Sequence, residues 1–505
     1  MDEDTERSEN MEISKRPNIL FAIMDDASHM GAYGHGFVHT PHFDWVAKEG
    51  ALFHQAYTTN PKCAPSRASI CTGMHTWQLE DACCHVVITF PEKFATFPEL
   101  LADAGYHVGY TGKGWGPGIW QTTRKWNPAG PAYNDKTLVP PEKTHVSNCD
   151  YTENFRVFLD EKEADQPFYF WYGGFEPHRH YVKGEGIRHG KKLEDIPSLP
   201  PYWPDDPIVK EDLLDYAYEI DYFDQHLGQI LAILRERNEL DNTIIVVTSD
   251  NGCPFPRVKG QMYQQDFNLP LAVCWPKLGN GGREIDDFVS FTDFAPTFLE
   301  AAGVPMHQQF SGQSFLDLIV SEESGTLDNN RVYVTMGREN HDSGREGDVG
   351  YPVRCIRKDK YLYVRNFEPD RWPAGNPETL FGNCDGSPTK DLIMEMKEHG
   401  NDVYYQLAFG KRPLEELFDV ATDPECMLNL ADNPAYHEIK AELWQTLETY
   451  LQKTNDPRIF GHGDIFDSYV LDKYSNDKGS WQAYVEGRFE LPNYMNWKRF
   501  IIEEE

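Results

Sequence analysis

Asn18-Ile19-Leu20-Phe21-Ala22-Ile23-Met24, closed by Asp25-Asp26, is the stretch that decides the fold. A short apolar run of this kind reads as a buried strand, the habit of parallel sheets covered by helices. Two adjacent carboxylates at its carboxyl end repel each other, and the repulsion is relieved if a divalent cation sits between them. An all-oxygen site suits Ca²⁺ or Mg²⁺ rather than zinc. A second run, Thr243-Ile244-Ile245-Val246-Val247-Thr248, leads into Ser249-Asp250-Asn251-Gly252 and supplies another carboxylate with a neutral amide oxygen. Taken singly, either acidic pair also reads as a helix cap or a turn. In an open parallel sheet, however, ligands collect at the carboxyl ends of strands, where these residues would meet.

Further strands are expected at 106–111, 167–172 and 270–274, alternating with helices at 97–104, 211–237 and 294–302. This is the pattern of an α/β domain with a large doubly wound mixed or parallel sheet. After about residue 330 the texture changes. Segments 331–336 and 355–366 read as strands of a smaller antiparallel sheet, and Leu414-Glu415-Glu416-Leu417-Phe418-Asp419 with Asn429-Leu430-Ala431 leads into a helix near 435–453. The expected organisation is a flexible acidic tail (1–15), a main domain (16–330) and a C-terminal α+β subdomain (331–505).

The chemistry is concentrated in Cys63-Ala64-Pro65-Ser66-Arg67-Ala68-Ser69-Ile70-Cys71-Thr72-Gly73. A bare Cys-x-Pro-Ser-Arg is compatible with a buried structural cysteine at a helix start, but the eleven-residue run is far more specific. It resembles the signature of the type I sulfatases of the alkaline phosphatase-like superfamily, in which that cysteine is oxidised to formylglycine by a maturation enzyme. The resemblance implies that the hydrated aldehyde presents a geminal diol. One hydroxyl attacks sulfur and the other later expels sulfate by re-forming the carbonyl. It also implies Asp25, Asp26, Asp250 and Asn251, with the converted Cys63, as ligands of one Ca²⁺, and Arg67 as part of the catalytic set.

Three more positions match roles in that family. Lys113 in Gly109-Tyr110-Thr111-Gly112-Lys113 and Lys259 in Arg257-Val258-Lys259-Gly260 resemble the sulfate-binding lysines, although each alone reads as a solvated surface charge. His178 in Glu176-Pro177-His178-Arg179-His180 follows the apolar run 167–172 and matches the general acid that protonates the leaving group. One position departs: many sulfatases carry His two residues after the Lys113 position, and this chain has Trp115, whose indole accepts no proton. His75 and His85 are the near-motif candidates for the missing role. Ser249-Asp250-Asn251-Gly252-Cys253-Pro254-Phe255-Pro256 with Pro177-His178-Arg179 resembles the heparan N-sulfatase (sulfamidase) branch and its bacterial relatives, which implies a sulfated glycan substrate with O-sulfate and N-sulfate both open. Arg179, His180, Arg338, Asn340 and His341 are candidates for substrate contact, and Trp372 for stacking on a sugar ring or for packing.

Composition narrows the partners. The chain has 505 residues, and 81 acidic against 47 basic residues give a net charge of −34. Such a body excludes general binding to nucleic acid or anionic membranes, and makes any sulfate-binding surface a local basic pocket. No apolar stretch approaches the roughly 20 residues of a membrane span, so a soluble chain is expected. Segment 1–15 does not resemble a signal peptide, and no Asn-x-Ser/Thr acceptor occurs. The expectation is a periplasmic or secreted bacterial enzyme whose leader is absent from this sequence, with a cytoplasmic place as the alternative. Ten cysteines show neither zinc spacing nor a disulfide framework. Two other readings stand beside the sulfatase one: hydrolysis of a phosphoester or phosphonate on the same fold, and a glycan-binding relative without activity.

Overall fold

A computed structural model describes residues 16–85, 88–469 and 480–501. The acidic tail expected at 1–15 lies outside the described residues. Asn18–Met24 forms β1, an interior strand of a seven-stranded sheet with Ala51–Phe53 (β2), His107–Gly112 (β3), Phe168–Gly173 (β4), Thr243–Ser249 (β5), Leu271–Cys274 (β6) and Arg283–Ile285 (β7). The spatial order is β3-β4-β1-β5-β6-β2-β7. β3, β4, β1 and β5 run parallel, whereas β6 is antiparallel to both of its neighbours, so the sheet is mixed. The short strands β2 and β7 are not legible as apolar runs; three residues leave no periodicity to read.

The period-two geometry of β1 sends Leu20, Ala22 and Met24 into one core and Ile19, Phe21 and Ile23 into another, with every one of them buried. Helices Pro41–Glu49 (α1), Tyr151–Glu161 (α4) and Pro207–Glu236 (α5) cover the first face; Cys63–Thr72 (α2), Phe97–Asp103 (α3) and Phe294–Ala301 (α6) cover the second. The sheet is thus wound on both sides. α5 begins four residues before the apolar pattern does, because Asp206 caps it by accepting from the Ile208 N–H and Pro207 fits its first turn.

A second sheet, antiparallel and four-stranded, follows in the order Tyr333–Arg338 (β8), Val353–Lys358 (β9), Tyr361–Asn366 (β10) and Glu415–Asp419 (β11). One face, with Ile356, Tyr363 and Leu417, packs on Leu443, Leu447 and Leu451 of helix His437–Lys453 (α7). The other, with Met336, Val353 and Val364, packs on Tyr57, Met262 and Phe267 of the first unit. This sheet therefore stands against the segments that follow β2 and β5.

Candidate active site

Parallel pairing in register decides where the site forms. Ile23 lies opposite Gly173 and Thr248, and Gly112 opposite Gly173, so β1, β3, β4 and β5 end at one edge. Residues placed just after those ends meet there: Asp25-Asp26, Lys113, Glu176 to His178, and Asp250-Asn251. Two backbone features hold the edge together. Gly112 has φ +74° and leaves no room for a β-carbon against the Gly173 carbonyl oxygen, and the Lys113 N–H donates to that same oxygen at 2.7 Å. Asp26 sits at φ +78°, a conformation that non-glycine residues adopt at a cost.

The carboxylates are interleaved with cations. Lys113 Nζ donates to Asp25 Oδ2 at 2.5 Å, Lys259 Nζ to Asp26 Oδ2 at 2.6 Å, and Arg67 Nε to Asp250 Oδ2 at 2.6 Å. Arg67 Nη1 also donates to the carbonyl oxygens of Lys113 and Gly114, so a fully buried guanidinium ties α2 to the end of β3. Burial alone raises Asp25, but Lys113, His178 and Arg67 outweigh it and hold this carboxyl well below the usual range. Asp250 is pushed up to about 6 by burial, against the pull of Arg67. The donor set fits a hard divalent cation. Ligand atoms of Asp25, Cys63 and Asp250 lie within 4.8 Å of one another, and two buried oxygens, Asp25 Oδ1 and Asn251 Oδ1, have no hydrogen-bond partner. Asn251 Nδ2 donates to Asp26 Oδ1 at 2.8 Å, which brings the third carboxylate into the same group.

Cys63 opens α2 and lines a cavity of about 790 Å³ together with Asp25, Lys113, His178 and Lys259. Its Sγ is 3.1 Å from His85 Nε2; His85 Nδ1 is 2.7 Å from Asp342 Oδ1, and Asp342 Oδ2 is 3.0 Å from Lys62 Nζ. Burial favours the neutral thiol, yet Lys113 and His85 overcome it and lower Cys63. Burial likewise works against charge on His85, and Asp342 with Cys63 reverses it, lifting the imidazole to about 9. His178 turns Nδ1 to the Arg179 carbonyl oxygen at 2.7 Å and its Nε2 lies 3.9 Å from Asp26 Oδ2. Burial and Lys259 push it down to about 4. All ten cysteines are unpaired thiols.

The candidates for substrate contact fare differently. Arg179 lines the cavity, but its guanidinium clasps Asp212 with two bonds of 2.7 and 2.9 Å and gives Nε to the Pro254 carbonyl oxygen. His180 stacks on Phe500 at 4.8 Å and pairs with the Asn493 carbonyl oxygen. Arg338 donates to the carbonyl oxygens of Gly260 and Pro373, Asn340 to that of Asp348, and His341 is fully buried; these three lie behind the cavity wall. Trp372 packs against Phe381 at 6.0 Å, away from the cavity lining. Trp115 donates its indole N–H to the Ala64 carbonyl oxygen at 3.0 Å and so buttresses the start of α2. His75 is stacked on Trp77 and bonded to Tyr450 Oη at 2.7 Å, remote from Cys63, while His85 touches it. Two acids that line the cavity, Asp342 and Asp385, carry no signal in the sequence. Each arrives on a loop of the second unit, Asp385 with its Oδ2 3.1 Å from Lys259 Nζ.

Comparison with known proteins agrees with this geometry. The family described as Sulfatase matches residues 17–304, and that described as N-sulphoglucosamine sulphohydrolase, C-terminal, matches residues 258–372. An ulvan-active sulfatase of Formosa agariphila is 28% identical over 529 residues, covering 97% of this chain and 83% of that protein. Human N-sulphoglucosamine sulphohydrolase is 27% identical over 480 residues, covering 88% and 91%. A solved structure described as a complex with its substrate D-glucosamine-2-N,6-O-disulfate superposes with a TM-score of 0.62 at 22% identity, covering 88% and 99%. The phosphonate monoester hydrolase of Agrobacterium radiobacter does so with 0.60 at 16% identity, covering 87% and 96%. These two likenesses establish the fold. Among the described residues no helix is long and apolar enough to cross a membrane.

Proposed function

The chain belongs to the Sulfatase family, and from that premise we propose that it removes sulfate from a sulfated carbohydrate, with residue 63 converted to formylglycine beside one Ca²⁺. It is a sulfuric ester hydrolase by family. The observation that carries the finer reading is the convergence of Cys63, two lysines and the buried carboxylates at one end of a cavity large enough for a sugar. Asp25, Asp26, Asp250 and Asn251 would hold the cation, with residue 63 completing the set. A cation bound there would supply Lewis-acid polarisation of the sulfuryl group, and formylglycine at 63 would supply a hydroxyl nucleophile.

The remaining work falls to side chains of this chain. Lys113 and Lys259 bring their ammonium groups to the cavity and oppose the charge on the peripheral oxygens of the sulfuryl group. Arg67 keeps Asp250 and Asp25 in place. His178, whose Nδ1 is anchored, presents Nε2 on the cavity side and gives a proton to the departing sugar oxygen once the bound anion has raised its proton affinity. The carbohydrate substrate is supported by the named activities of the ulvan-active and N-sulphoglucosamine relatives. A maturation enzyme that converts Cys63, and a periplasmic or secreted place in a bacterium, belong to the same proposal.

The decisive experiment isolates the protein from its native host, determines the mass of the Cys63 peptide, and assays paired aryl sulfate, phosphate and phosphonate esters. Formylglycine at 63 with sulfate ester as the preferred substrate is the expected result. An unmodified thiol in a fully active preparation, or preference for the phosphonate, would replace this reading with the phosphonate hydrolase that shares the fold.

A further inference from the structure

We propose that His85, held by Asp342, is the catalytic base that takes a proton from the oxygen on residue 63 and thereby releases sulfate; the proposal rests on the formylglycine reading. The Sγ of Cys63 marks where an oxygen on the same carbon stands after conversion, and His85 Nε2 is 3.1 Å from it. Asp342 Oδ1 takes the other ring nitrogen at 2.7 Å, and conversion of Cys63 removes the thiol that helps hold a proton on the ring, so the Nε2 lone pair then faces residue 63. Asp342 is fixed in turn by Lys62 at 3.0 Å, the residue that immediately precedes the nucleophile position. All four side chains line the cavity.

Other groups are unsuited to this task. Trp115 has no acceptor nitrogen and donates its N–H to Ala64. Lys113 and Lys259 are engaged as cations with Asp25 and Asp26. His178 stands on the Asp26 side with Nδ1 turned to Arg179, and His75 is bonded to Tyr450. Among the described residues, His85 is the imidazole within hydrogen-bonding distance of residue 63.

The step balances without any further reagent. His85 Nε2 takes the proton of the free hydroxyl on the residue 63 carbon, and the O–H electron pair forms the C=O bond. The C–O bond to the sulfuryl group breaks, sulfate leaves as the dianion, the imidazolium gives its proton to bulk solvent, and a separate water adds to the aldehyde to restore the diol. The arrangement is a histidine ordered by a carboxylate, built from a loop after β8 and a segment after α2 rather than from one motif.

The test uses His85→Gln and Asp342→Asn in full-length protein whose formylglycine content has been measured at the residue 63 peptide. In a single turnover with excess enzyme, His85→Gln should release the alcohol but retain sulfate, and its residue 63 peptide should gain the mass of one SO₃ group. Steady-state turnover should fall by about 10²–10⁴-fold, the usual worth of a general base. Asp342→Asn, which preserves shape, should show the same adduct at lower occupancy and keeps the test open if His85→Gln fails to fold. Sulfate release at the wild-type rate, or a slow variant with no adduct, would overturn the assignment. Absence of formylglycine from active wild-type protein would instead remove the reading beneath it, and that is seen before any variant is made.

Discussion

At position 178 the leaving group decides how much an imidazole is worth. A sugar hydroxyl departs poorly as an alkoxide, whereas an aryl oxide needs little help. His178→Ala should therefore depress hydrolysis of a sugar sulfate by roughly 10²–10⁴-fold and that of an activated aryl sulfate far less, measured as kcat/KM on both. Equal losses on the two substrates would assign His178 to sulfate binding or to the geometry of Asp26, 3.9 Å away. Single residues also mark where sequence reading stops. Cys63, Lys113, His178 and the acids after β1 and β5 stand in recognisable runs beside strand ends, and they converge. Arg179, Asn340 and His341 stand in loops and Arg338 ends β8, yet burial and hydrogen bonding engage them elsewhere. Burial is a property of the packed molecule, and a loop arginine carries no mark of the aspartate it will clasp. Asp342 illustrates the converse: it meets His85 across 257 positions of sequence, with no motif around it to announce the meeting.

Among the elements, the long strands and helices are legible because an apolar run or a 3.6-residue pattern repeats within each. Glu415–Asp419 carries no such signal; its three acidic residues hide a β11 whose Leu417 and Phe418 are buried on opposite faces. The segment between α2 and α3 carries both histidines that the sequence offers near the Cys63 motif, and packing separates their fates. His75 lies against α7, where burial and Arg354 push it from its ordinary 6.5 down to about 3. Between those values the unfolded chain takes up a proton that the folded chain refuses. The stability contributed by neutral His75 is thus complete above about pH 6.5 and lost as pH falls toward 3. His75→Gln should flatten that part of the acid limb in melting curves recorded from pH 7 to 4, relative to wild type, while turnover of the folded enzyme at neutral pH stays within a few-fold. A variant that melts with the wild-type pH dependence but loses turnover would place His75 in the chemistry and displace His85.

For the whole molecule, the governing fact is that three lysines meet in a pocket set in a body of net charge −34. Lys62, Lys113 and Lys259 line the cavity, and carboxylates pair with each of them. A sulfated polymer approaching this body meets repulsion long before it meets those lysines, and repulsion between exposed charges is what salt screens. The Debye length shrinks from about 30 Å at 0.01 M to about 8 Å at 0.15 M ionic strength, whereas pairs inside the cavity are screened much less. Steering is therefore negative, so kcat/KM for a polyanionic glycan should rise several-fold over that range, the reverse of the usual decline when opposite charges attract. A small neutral-bodied monosulfate, with one charge to bring in, should change little. The comparison needs both substrates in the same salt series, with an inert electrolyte other than sulfate. If the polymer's kcat/KM instead falls as salt is raised, a basic track must lead to the cavity, one that the net charge conceals, and the polymer would then be guided to the site rather than admitted against the field.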